Sequence, residues 1–150
     1  PAAPLPAAGN DPPCSSAGIK PDLIFLLIYD NKNVTGTTSP SDPRNVFIGN
    51  WVCQETTGTS SSTFGVEIFA HSTISTRIVV SNFNNLGFQA SLCNIETSGN
   101  SLTIFQQNLS GFDVVGSGTL INSSTINLTY QVDDGSGIVD NVSATLTKTN

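Results

Sequence analysis

From residue 46 onward, apolar and polar residues alternate in short runs separated by turn residues. A period of two with one polar face predicts antiparallel strands. "VFIGNWVCQET" places Phe47, Gly49, Trp51 and Cys53 on one side, and "STFGVEIFAH" does the same with Phe64, Val66, Ile68 and Ala70. "STISTRIVVSNF" contributes Ile74, Ile78 and Val80, "LGFQASLCNIE" contributes Phe88, Ala90 and Leu92, and "SLTIFQQ" contributes Leu102 and Ile104. "GFDVVGSGTLI" offers Val114 and Leu120 around Gly116 and Gly118, two glycines that suit a bend or bulge. "STINLTYQVDD" alternates through Ile126, Leu128, Tyr130 and Val132, and "IVDNVSATLTK" through Val142, Ala144 and Leu146. The turns "TSGNS", "NLSG", "NSS" and "DDGSG" are short enough to make hairpins of neighbouring runs. No window carries a helical period. The predicted fold is all-β: an eight-stranded antiparallel up-and-down meander over 46–150, closing as a barrel or flattening into a sandwich.

The first 45 residues break this pattern. Residues 1–21 hold six of the eight prolines and are predicted to run extended. Residues 31–45 form a polar linker. Between them, in 22–30, lie seven consecutive apolar residues: Leu23, Ile24, Phe25, Leu26, Leu27, Ile28 and Tyr29. A run without polar interruption suits a strand covered on both faces, so the fold carries an extra N-terminal strand in the form of an arm. The run is too short to span a bilayer. Asp22 and Asp30 flank it where a signal peptide would have basic and small residues, so any signal is expected to be removed already.

Composition narrows the setting. Only 11% of the 150 residues are charged, and Ser, Thr and Asn (19, 17 and 15) supply the polar surface instead. That favours a secreted or cell-surface β protein. A net charge of −6 with five Lys and Arg provides no basic footprint for nucleic acid or an anionic membrane. Three cysteines, Cys14, Cys53 and Cys93, are disulfide candidates within or between chains, with one left over. Alternation places Cys53 inward and Cys93 outward.

Phe47, Gly49 and Trp51 in "VFIGNWVCQE" resemble the Gly-x-Trp opening of lipocalins and fatty-acid-binding proteins. The stretch 42–148 is also similar to the lipocalin-like domains of small bacterial cell-envelope lipoproteins. The resemblance implies an eight-stranded barrel with Trp51 packed across its closed end. Neither a lidding helix nor a basic cluster for a fatty-acid carboxylate is visible, and Arg77 is the lone arginine within the strands. Ligand binding therefore does not carry over with the fold.

Candidate chemistry is sparse. His71, the only histidine, sits at a predicted strand end near Ser72, Ser75 and Glu67, and reads as a surface side chain. Glu55 and Glu67 are expected to face each other across the first hairpin on its polar side, as solvated charges rather than a glycosidase pair. Asp133, Asp134, Ser136 and Asp140 read as a hairpin turn rather than a Ca²⁺ loop. No catalytic residue, metal site or cofactor is predicted. Asn-x-Ser/Thr sequons begin at Asn33, Asn108, Asn122, Asn127 and Asn141. Phe69, Phe105, Val115 and Ile121 lie on the second face of their strands, as if part of the outer surface were covered.

Burying each large side chain of the 23–29 run is worth about 1.5–3 kcal/mol, so something must cover it. The expected function is a non-enzymatic structural subunit of an extracellular fibre or surface assembly. It would polymerise head to tail by donating the arm strand to a neighbouring copy. The alternative is a lipocalin-like cell-envelope binding module for a small apolar ligand.

Overall fold

The structure is a computed structural model that describes residues 35–36 and 38–149. The apolar run 23–29, Cys14 and Asn33 lie outside the described residues. A two-residue strand β1 (Thr35–Gly36) precedes a 3-10 turn (Pro43–Val46). Eight strands follow: β2 (Gly49–Thr57), β3 (Ser60–His71), β4 (Arg77–Ser81), β5 (Cys93–Ser98), β6 (Ser101–Leu109), β7 (Phe112–Asn122), β8 (Thr125–Asp133) and β9 (Val139–Lys148). Each pairs antiparallel with the next, and β9 returns to pair with β2. The meander is thus a closed up-and-down barrel, and the flattened sandwich is ruled out. No helix among the described residues is long and apolar enough to cross a membrane.

All eight strands contribute inward side chains to one continuous core. Trp51, Ile68, Ile78, Ile95, Ile104, Val114, Ile126 and Leu146 represent each strand in turn. Gly116 and Gly118 face this core; the β7–β8 register runs through both, while the β6–β7 register breaks directly beside Gly116. A Cβ on Gly116 would sit against the Thr129 carbonyl oxygen and 2.5 Å from Tyr130 Cβ. A Cβ on Gly118 would collide with the Leu128 side chain. The glycines therefore make room for large neighbours, and the irregularities expected there lie beside them. One lies between Ile104 and Gln107, the other between Leu120 and Asn122. The first resets the alternation, so that Ile104 and Leu109 both point inward.

The fourth expected strand is corrected. Phe88, Ala90 and Leu92 are not an inward set: Phe88 is 54% exposed, and the strand begins only at Cys93, which is 0% exposed. The preceding segment is a 3-10 turn (Phe83–Asn85) in which Asn82, Asn84 and Asn85 all take positive φ. Asparagine tolerates the left-handed region better than other non-glycine residues. The chain turns sharply there, and the alternation restarts with opposite parity. Cys93 therefore points inward, not outward.

One end of the barrel is organised around Arg44, which the sequence placed in the linker. It is buried, pairs with Asp42, and its Nη1 donates to the carbonyls of His71, Ile74 and Arg77 at 3.0, 3.0 and 3.1 Å. The two hydrogens of Nη1 are thus shared among three carbonyls of the β3–β4 connection, of which Ile74 also accepts from the Arg77 amide at 3.2 Å. Residues of the expected linker therefore join the barrel: Thr35 and Gly36 pair with β3, and Arg44 is buried.

Glycine substitutions test this packing by urea denaturation. Gly116→Ala is expected to lose about 1–3 kcal/mol through overpacking. Gly65→Ala, whose Cβ meets nothing within 4 Å, is expected to stay within about 0.5 kcal/mol. Equal effects at the two positions would contradict the account.

Candidate functional site

Phe47, Gly49 and Trp51 come together as the sequence leads one to expect. Trp51 is buried, and its Nε1 donates to the Phe47 carbonyl at 2.8 Å. Gly49 has φ +126°, a backbone state that favours glycine. Lys148, from the last strand, lies over the Trp51 ring at 5.2 Å and donates to the Val46 carbonyl at 2.9 Å. The motif therefore ties the first and last strands at one end of the ring.

A polar cluster lies inside the barrel toward the other end. Glu55 shares its parity with Trp51 and Cys53 and is buried, only 6% exposed, which corrects the expected solvated charge. It faces Ser62 in register, whereas Glu67 faces Asn50, so no carboxylate pair forms across the hairpin. Tyr130 donates to Glu55 Oε1, and Cys53 Sγ approaches the same oxygen at 3.9 Å. Tyr130 Oη also lies 3.2 Å from Asn84 Oδ1. One hydroxyl proton cannot serve both oxygens at once, so the Tyr130 hydroxyl is shared between Glu55 and Asn84. Burial raises the Glu55 carboxyl above the usual range against the lowering effect of Tyr130, Cys53 and Ser62. The Tyr130 hydroxyl is pushed up by burial and then by Glu55, and Phe83 stacks against its ring at 4.7 Å. Chemically, this is an internally satisfied network among the described residues.

The two described cysteines, Cys53 and Cys93, are free thiols inside the barrel. A disulfide between them, one of the expected pairings, is not formed. Burial pushes both thiols far above their ordinary range, which leaves almost no thiolate to react.

The remaining candidates stay apart. His71 ends β3, and its Nδ1 accepts from the amides of Thr73 and Ile74, both at 3.2 Å. Partial burial first, and the nearby Arg77 and Arg44 next, hold its imidazole below the usual range. Asp133 and Asp134 accept from the amides of Gly135 and Ser136, as a hairpin turn does. No group of three His, Cys, Asp or Glu among the described residues is placed to hold a metal ion. Asn108, Asn122, Asn127 and Asn141 are all exposed. Phe105 lies on the outer face under Arg77, whose guanidinium is 4.7 Å from the ring centre and pairs with Glu96. Val115 and Ile121 are exposed, and Val115 borders a shallow outer groove of about 450 Å³ with Gln131, Asn141 and Ser143.

Strand pairing also leaves gaps, which alternation alone could not reveal. On its β4 side β3 is paired only over Glu67, Ile68, Phe69 and Ala70. The seven residues Ser60 to Val66 have no strand on that side. One side-chain staple touches this edge: Asn82 Nδ2 donates to the Gly65 carbonyl at 2.6 Å, and Asn82 Oδ1 accepts from Gly87 N at 2.7 Å. Across the ring, β6 has a comparable gap beside β5. There Gln107 donates to the Asn94 carbonyl and accepts from its amide, each at 2.8 Å, replacing a ladder rung.

Two measurements test the interior. Because the folded carboxyl of Glu55 is raised, its stabilisation is complete below the unfolded value of about 4.3 and is lost as pH rises through the folded value. Glu55→Gln is expected to keep the hydrogen bonds and abolish that loss, flattening stability above pH ~5; parallel curves for the two proteins would contradict it. Native protein treated with iodoacetamide is expected to carry no label on Cys53 or Cys93 by peptide mass spectrometry. Both are expected to react in denaturant, and labelling of either in the native state would refute their burial.

No known protein family matches the chain, and no curated protein matches it. Among solved structures, a redesigned β-barrel is similar, with a TM-score of 0.52 and 11% identity over 75% of this chain and all of that one. At that identity the likeness concerns the fold alone: an eight-stranded antiparallel barrel.

Proposed function

We propose that this chain is a non-enzymatic structural subunit of an extracellular fibre or surface assembly, built by donation of its apolar arm strand to a neighbouring copy. The observation that carries the reading is the seven-residue unpaired stretch of β3 in an otherwise largely closed ring. Unpaired strand edges attract further strands, and natural β proteins cover or blunt them. The arm is itself seven apolar residues, Leu23 to Tyr29, in need of a β environment. Strand addition satisfies both at once.

The barrel is read here as lipocalin-like on the geometry of Phe47, Gly49 and Trp51. A carrier function is the weaker reading, because side chains from all eight strands pack as one cluster where an apolar ligand would sit. The outer wall of Ser, Thr, Asn and Gln suits an extracellular setting, and Cys14 is the candidate for a covalent tie between copies.

The test is a size measurement by light scattering on the full chain and on a chain lacking the first 32 residues. Concentration-dependent oligomers of the full chain and a monomer after truncation are expected. A monomer in both cases would refute strand donation.

A further inference from the structure

We infer that the receiving site for the arm is the free β4-side edge of β3, Ser60 to Val66, and that its occupant is residues 23–29 of a second copy of this chain. This rests on the strand-donation reading and adds where the strand docks. In an antiparallel strand, alternate residues turn both backbone groups to the same side. The Gly65 carbonyl meets Asn82 on the free side, and Glu67 and Phe69 pair with β4 there. Ser61 and Thr63 share that parity, so their N–H and C=O groups point outward from the ring, ready for a ladder. The apolar part of the edge lies beside the Asn82 staple. Phe64 and Leu86 are half-buried, Phe88 is exposed, and Gly65 and Gly87 are both held by Asn82. Unpaired backbone and uncovered apolar side chains thus coincide at this edge.

Chain length favours a neighbour's arm over the chain's own. Thr35 pairs with His71, at the opposite end of β3 and on its β2 side. Val66, the near end of that edge, lies five positions from His71, about 17 Å along the strand. Residues 30–34 and their flanking bonds reach at most about 20 Å from Thr35 to Tyr29. To lie along its own edge, the arm would also have to cross β3 and reverse direction. The roughly 3 Å left over does not cover the crossing, which spans about 10 Å between the two sides of a strand, whereas a second copy faces no such limit. The outer groove beside Val115 competes poorly. Its floor is made of strands already paired on both sides, and hydroxyls and amides line it.

The test uses full-length protein. Thr63→Pro removes one N–H from the free edge without breaking a bond to β2, a position where an edge strand tolerates proline. Ser61→Pro does the same two residues away and serves as the second variant. Both are expected to retain the wild-type Trp51 fluorescence and cooperative melting, and to lose at least tenfold in assembly affinity by sedimentation velocity. Val115→Asp, in the groove, is expected to assemble like wild type. Wild-type assembly by folded Thr63→Pro and Ser61→Pro proteins would overturn the edge assignment and leave strand donation standing. Loss of assembly in Val115→Asp alone would move the site to the groove. A full-length wild type that stays monomeric would overturn both readings.

Discussion

An eight-stranded sheet that closes on itself must fill its own lumen, and the rest of this molecule follows from that constraint. The diameter is fixed by strand number, so the sum of inward side-chain volumes is fixed with it. Trp51 and Tyr130 consume much of that volume, and Gly116 and Gly118 release it directly opposite Tyr130 and Leu128. The same constraint explains the buried carboxyl. Glu55 occupies an inward position, and the cost of burying it is offset by the Tyr130 hydroxyl and the Cys53 thiol around it.

Closure also decides where the sheet is incomplete. A ring of eight strands needs eight ladders, and those flanking β4 and β5 are short. Side-chain amides finish them locally: Gln107 between β5 and β6, and Asn82 between β3 and the turn that follows β4. These staples explain how the barrel holds together with few rungs there. They leave two stretches of backbone edge without a strand beside them among the described residues, Ser60 to Val66 of β3 and Ile104 to Leu109 of β6, and the one on β3 is the longer. A closed barrel ordinarily abolishes edges, so an edge that survives closure is a specific opening.

Much of the barrel was legible in the sequence because period-two alternation reports sidedness wherever a strand runs unbroken. Ile126, Leu128, Tyr130 and Val132 were read correctly, as were Val66, Ile68 and Ala70, and Trp51 is buried on the inward side. The reading failed where the backbone interrupts the count. Three left-handed asparagines between β4 and β5 reversed the parity and carried Cys93 inside. The bulge after Ile104 shifted Leu109 in the same way. Glu55 was misplaced for another reason: its parity with Trp51 and Cys53 was available, and its charge was allowed to outweigh it. Arg44 and the staples of Asn82 and Gln107 depend on contacts between residues far apart in the chain, which no local pattern encodes.

The proposal joins two features that are separately costly in water, an apolar ribbon and an unpaired strand edge, into one contact between copies. Amide hydrogen exchange on full-length protein, followed residue by residue across a dilution series, reads that contact most directly. The account predicts that the amides of Ser61, Thr63 and Gly65 become protected as concentration rises, while those of Asn127 and Thr129 in the fully paired β8 stay protected throughout. Exchange at Ser61, Thr63 and Gly65 that stays fast at every concentration at which the protein is assembled would contradict it.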